Sequence, residues 1–270
     1  MKRDLLKTKN TSMREFLAET LGTFTLVCIG LSVNAAVLLS RTDGATIIGC
    51  LGWGLALTAA IYICGGISGG HCNPAVTIGL ASVGKLSWRK VPHYFAAQYL
   101  GAFLGAVVTY CVYIDAIQNS NGRELKVVGE NGTARIFSTF PNENSSILTC
   151  FVDQIVASAF FLLLINAIID KKNMECPKGL VPVAIGFTNL SLVLFSFGFN
   201  CEGPLNPARD LSPRLFTLIA GWGNEVFSVR NYFYFWVPIV APHFGAVIGS
   251  WIYMLFIENH WESEYVEIPQ

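Results

Sequence analysis

From Gly44 to Gly84 the chain runs for 41 residues without an Asp, Glu, Lys or Arg. A wholly helical segment of that length would be about 60 Å long, twice the thickness of a bilayer's hydrocarbon core. The run must therefore turn back or stop midway, and glycines at 65, 66, 69 and 70, followed by Asn73 and Pro74, mark the break. Glycine releases the backbone from the helix, and proline at a first helical position starts a new one. The expectation is a full span from Ala45 to Cys64 and a short helix from about Pro74 to Val83. The short helix cannot cross a bilayer, and non-helical backbone at that depth is tolerated only where protein buries it or water reaches it. A pore or a binding chamber follows from this one window.

The remainder of the chain asks for the same solvent. Only 13% of the residues are charged, against roughly 25% in soluble domains. Uncharged stretches separate Glu19 from Arg41, Lys90 from Asp115, Lys178 from Glu202 and Arg230 from Glu258, and Ile147 to Ile169 is interrupted by Asp153 alone. With the span after Asp43, six transmembrane helices are expected. Eighteen basic residues balance eighteen acidic ones, so nucleic acid is not an expected partner. Eleven Lys and Arg fall in the N-terminal segment, at Lys85 to Lys90 and at Lys171 to Lys178, which places both termini in the cytoplasm by the positive-inside rule. The opposite face then carries Gln118 to Thr149, with acceptor sequons for glycosylation at Asn131 and Asn144. Those at Asn10 and Asn189 are discounted as cytoplasmic and intramembrane. No cleavable signal is evident in the basic stretch before the first span. The plasma membrane is the default location.

Eight cysteines and four histidines show no metal-ligand spacing, so no metal or cofactor is expected and the cysteines read as small buried hydrophobes. An internal repeat is more informative. Asn73-Pro74-Ala75 returns as Asn206-Pro207-Ala208, 133 residues later, and the segment around Glu19 aligns with that around Gln154 at an offset of 135. Three spans per half is an odd number, so the halves insert with opposite topology. The fold class is an all-α membrane protein, six transmembrane helices plus two re-entrant half-helices in an inverted repeat. Residues 1–15 form the N-terminus, 16–257 a single channel domain with repeats at about 16–114 and 147–257, and 258–270 the tail.

Two half-helices entering from opposite faces aim both positive dipole ends at one midplane spot, where Asn73 and Asn206 can offer amide donors. Such a centre suits water or a hydroxyl-bearing solute and repels cations. One Asn-Pro-Ala is an ordinary turn signal; two at repeat spacing, each after a glycine-containing break, are a specific one.

The residues Ser68 to Thr77, Pro204 to Phe216 and Ala220-Gly221-Trp222-Gly223 resemble, with nearly the whole chain around them, aquaporins of the aquaglyceroporin branch. Asp210 directly after Arg209, with Arg214 four residues on, resembles the glycerol-conducting members, and Asn200-Cys201 with Pro204-Leu205 is most similar to the aquaporin ten subgroup, with aquaporins three and nine as near relatives. The resemblance implies a homotetramer with one pore per subunit, embedded in the lipid bilayer, passing glycerol and water and excluding ions and protons by pore diameter, lining groups and an Arg. It puts Arg209 at an outer constriction, with an ion pair to Asp210 or another acid as its alternative role, and reads Arg214 as structural. Trp53, twenty residues before Asn73, becomes the apolar wall against which a carbon backbone packs; the alternative is an interface anchor. Gly203 stands where glycerol facilitators often carry an aromatic, which widens the constriction and extends the expected range to urea. Between Gly186 and Asn200 the chain is one residue longer than the family pattern, so the fifth-span filter position is Leu194 without a gap and Val193 in a shifted register.

Glu19, Gln154 and His71 are expected to orient the two pore loops, with a pH-sensing role as the second reading of His71. His243, where the branch has an aliphatic residue, is read as a buried, satisfied histidine, and Cys72 and Cys201 as sites of mercurial sensitivity. A secondary transporter also uses inverted repeats and broken helices, but an ion-coupled carrier needs an ionisable group at the midplane, where this chain has neutral Asn. An intramembrane hydrolase needs a nucleophile and base at the breaks, and neither is evident. The expected protein is a passive channel and no enzyme.

Overall fold

The computed structural model describes residues 7–41, 43–129 and 131–262. Lys2 and Arg3 of the basic segment, and the tail beyond 262, lie outside the described residues. The described residues are helical, without strands: α1 (Thr11–Ser40), α2 (Ala45–Ser68), α3 (Pro74–Ser82), α4 (Val91–Ser120), α5 (Ile147–Ile169), α6 (Val181–Leu192), α7 (Pro207–Thr217), α8 (Glu225–Ser228) and α9 (Val237–Phe256). Five of these helices are long and apolar enough to cross a membrane. The sixth expected span is α6, 12 residues, continued by a five-residue π-helical turn from Val193 to Phe197.

Side-chain caps start several helices. Asn10 accepts from the Met13 N–H at α1, and Ser146 accepts from Thr149 at α5, each satisfying an otherwise orphaned donor. Helix α2 is longer than expected. It passes through Gly65 and Gly66 and ends at Ser68, with Gly69 in the left-handed region at φ 90° and its N–H bonded to the Gly65 carbonyl. In an apolar surrounding, breaking at Gly65 would have left more backbone groups without partners, so the helix persists until a positive φ is needed.

The two halves repeat one another's packing. Helix α1 lies on α4 as α5 lies on α9, α3 packs on α9 as α7 packs on α4, and α2 crosses α6 between them. Close approach is made by glycines: a Cβ on Gly101 or Gly105 would strike the α1 backbone at Thr20 and Phe24, and one on Gly245 or Gly249 the α5 backbone at Ile155 and Ala159. Small residues let apolar helices approach this closely where the hydrophobic effect cannot drive them together. The outward faces keep Leu21, Leu55, Phe160 and Phe244 exposed, as a lipid-facing surface requires. Lys90 and His93 bond the buried Glu15, and Lys85 meets Glu258 at 2.9 Å, which brings the start of α1, the α3–α4 link and the end of α9 to one side of the bundle.

Candidate functional site

The half-helices α3 and α7 meet N-terminus to N-terminus. Asn73 Oδ1 accepts from the Ala75 N–H at 2.9 Å, and Asn206 Oδ1 accepts from Ala208 at 3.0 Å and Arg209 at 3.2 Å, so each side chain caps its own helix. Each also donates across the junction, Asn73 Nδ2 to the Leu205 carbonyl at 3.0 Å and Asn206 Nδ2 to the Cys72 carbonyl at 2.8 Å. An amide has two N–H donors, so the cross-link leaves each Asn one donor for the lumen. Cys72 and Leu205, the residues before each Asn, sit in the left-handed region at φ 48° and 53°. That conformation costs energy in a residue with a side chain, and here it turns the two carbonyls toward the opposite Asn.

Side chains behind the loops hold them. Glu19, fully buried, accepts from Ser68 Oγ at 2.6 Å, from the N–H groups of His71 and Cys72 at 3.0 and 2.8 Å and from Gln98 Nε2 at 2.8 Å. Gln154 accepts the Leu205 N–H at 3.0 Å and donates to Asp153 at 2.8 Å. Asp210 and Arg214 are likewise fully buried and form an ion pair at 2.7 Å. Arg214 spends its other donors on the carbonyls of Val226 and Thr139, both at 2.7 Å.

A narrow cavity of about 110 Å³ runs past the junction, lined by Trp53, His71, Asn73, Val193, Gly203, Asn206 and Arg209 among others. At one end of it the Arg209 guanidinium carbon lies 4.6 Å from the centre of the Trp53 ring, and its NH1 donates to the Phe137 carbonyl at 3.2 Å. No acid pairs with Arg209 among the described residues; Asp210 turns to Arg214. Trp53 donates from Nε1 to Asn34 at 2.9 Å, and Asn34 donates to the Ile136 carbonyl at 3.1 Å. One stretch, Ile136-Phe137, thus fixes both of these side chains. Glu202 holds that stretch in place by accepting from Arg135 Nε at 2.7 Å and from the Phe140 N–H at 3.0 Å.

Of the two registers left open, the structure brings in Val193. A Cβ on Gly203 would lie 3.0 Å from Val193 Cγ1, whereas Leu194, the ungapped choice, lines the wider outer vestibule instead. The turn from Val193 to Phe197 is π-helical, closing i to i+5 rings. His243 departs from its reading as a satisfied histidine: Nδ1 lies 2.7 Å from the Ile239 carbonyl, but Nε2 is buried without a partner. Asn34, Phe137 and the Arg135–Glu202 clamp were missed. Asn34 carried a signal, since an amide inside an apolar span needs a partner; the clamp joins residues 67 apart and has none.

The model of the major intrinsic protein family matches residues 6–253. The chain belongs to this family. Aquaporin-9 of Homo sapiens is 46% identical over 253 residues, covering 93% of the chain and 85% of that protein. Human aquaporin-10 is 43% identical over 256 residues, covering 94% and 84%. The X-ray structure of the aquaglyceroporin from Plasmodium falciparum superposes with a TM-score of 0.81 at 35% identity, over 90% of this chain and 95% of that one. As a member of the major intrinsic protein family the chain is a multi-pass membrane channel with the aquaporin fold, and not an enzyme.

Proposed function

We propose that the protein conducts glycerol and water passively, admits urea, and excludes ions and protons. The observation that carries this reading is that Trp53 and Arg209, in contact with each other at 4.6 Å, line one cavity beside Gly203. A polyol has a carbon edge and a hydroxyl edge; the part of the indole that lines the cavity takes the first, and the adjacent guanidinium donates to the second. Val193 packs against Gly203, its Cγ1 3.0 Å from where a side chain there would begin, and closes that side of the cavity. Cations meet the Arg209 charge and then two helix N-termini that repel them. Water accepts in turn from the free N–H of Asn73 and of Asn206, which interrupts a proton-conducting chain of donors.

In the same reading the protein is a homotetramer with one pore per subunit in the plasma membrane, with both termini in the cytoplasm. Asn131 and Asn144, both exposed on the side opposite the termini, are its glycosylation sites. The test is light scattering from proteoliposomes in gradients of glycerol, urea and sorbitol. Glycerol and urea gradients should collapse, with reswelling, while the sorbitol gradient reports water efflux alone. Shrinkage without reswelling in glycerol would mean that Val193 closes the filter to polyols.

A further inference from the structure

Behind the first pore loop, two sulfurs that the channel chemistry does not use lie beside the Glu19 carboxylate. The loop folds back on α2, so that Cys72 Sγ comes within 3.5 Å of Cys64 Sγ, and a carboxylate oxygen of Glu19 lies within 4.8 Å of both sulfurs. Gly22 makes the approach possible, since a Cβ there would lie against both sulfurs. The next residue, Thr23, is fully buried with its hydroxyl beside the Cys72 sulfur, and Oε1 of the fully buried Gln98, whose amide nitrogen already bonds Glu19, has no partner. Two thiols, a carboxylate and one unsatisfied amide oxygen therefore share one buried region.

The sulfur separation points to a class of ligand. Two thiolates on a tetrahedral ion with metal–sulfur bonds of about 2.3 Å stand roughly 3.8 Å apart. A linear two-coordinate ion would hold them nearly twice the bond length apart, and a disulfide needs about 2.05 Å. The observed 3.5 Å fits the tetrahedral case. Binding is balanced in charge, because one divalent cation replaces the two thiol protons, which leave to water, and the buried region keeps its net charge. The cavity reaches Gly69, Gly70 and His71, next to Cys72, from the side of the termini.

We propose that Cys64, Cys72 and Glu19 form a site for a thiophilic tetrahedral cation of the zinc class, and that its occupancy closes the channel. The coupling runs through Glu19. All four of its acceptor positions are taken by Ser68, His71, Cys72 and Gln98, so an ion that claims a carboxylate oxygen displaces a donor, and two of those donors are backbone N–H groups of the pore loop.

The experiment uses the purified full chain. Co²⁺, a spectroscopic stand-in for Zn²⁺, should bind once per chain with a sulfur-to-cobalt charge-transfer band. In proteoliposomes Zn²⁺ should remove most of the glycerol flux, and a chelator should restore it. Cys64→Ser should lose the band and the Zn²⁺ effect while keeping its metal-free flux; Cys150→Ser, in the other repeat, should keep all three. X-ray absorption on the zinc-loaded wild type reads the site without any variant and should give two sulfurs at about 2.3 Å with oxygen completing the shell. A band that survives in Cys64→Ser, a zinc shell without sulfur, or Zn²⁺ inhibition unchanged by Cys64→Ser would overturn the proposal. Each is separable from failure of the channel reading, which would abolish metal-free glycerol flux.

Discussion

The two pore loops are the same device on different foundations. In both, a residue with positive φ precedes the Asn, the Asn caps its own half-helix, and its amide crosses to the other loop's carbonyl. The supports differ. The first loop rests on a buried carboxylate, Glu19, with four donors, while α3 carries the neutral Thr77 and Ala81 at the positions where α7 carries Asp210 and Arg214. The second loop rests on neutral Gln154, and the charged anchor has moved onto α7 as the Asp210–Arg214 pair. Atoms that meet solute are held to one geometry by the chemistry, whereas the atoms behind them need only hold position, and a carboxylate taking backbone N–H groups or an ion pair reaching loop carbonyls does so equally well.

The largest effect should come from the α7 anchor. Asp210→Asn leaves Arg214 buried without its counter-charge, which typically costs about 3–5 kcal/mol; folded protein recovered by size-exclusion chromatography should fall sharply, and an unchanged yield would show that the ion pair is no foundation. Next are the loops themselves. Glu19→Ala unpairs the N–H groups of His71 and Cys72, at about 1–3 kcal/mol each, whereas Gln154→Ala unpairs that of Leu205 alone. Thermal unfolding should rank Glu19→Ala as the less stable, and the reverse order would break the comparison. The smallest effect is expected of Glu202→Gln, which weakens a partly exposed pair with Arg135 worth about 0–1 kcal/mol. Stability should barely move, yet the glycerol-to-water flux ratio should shift, because Glu202 holds the stretch that fixes Arg209 and Trp53.

The solute-facing half of this account was legible in the sequence: the uncharged 41-residue run, the duplicated Asn-Pro-Ala and the odd number of spans imply head-to-head half-helices by length and chirality of insertion alone. What was hidden depends on where the chain returns to itself. That Val193 and not Leu194 lines the cavity follows from the backbone path through the π-helical turn, which two neighbouring apolar residues do not announce. Cys64 and Cys72 show no ligand spacing, yet the loop brings them together, and Arg135 meets Glu202 across 67 residues. The sequence already separated a constriction Arg209 from a structural Arg214, but that Asp210 pairs with Arg214 and not with Arg209 emerged only from the structure.

The central claim is a passive pore selecting neutral solutes where Trp53 and Arg209 together line the cavity. Its most direct test is the initial rate of glycerol reswelling in proteoliposomes, measured over a wide glycerol range with and without imposed sodium and proton gradients. A rate that rises linearly with glycerol and ignores both gradients is the predicted result. Saturation combined with dependence on either gradient would contradict it and identify a coupled carrier.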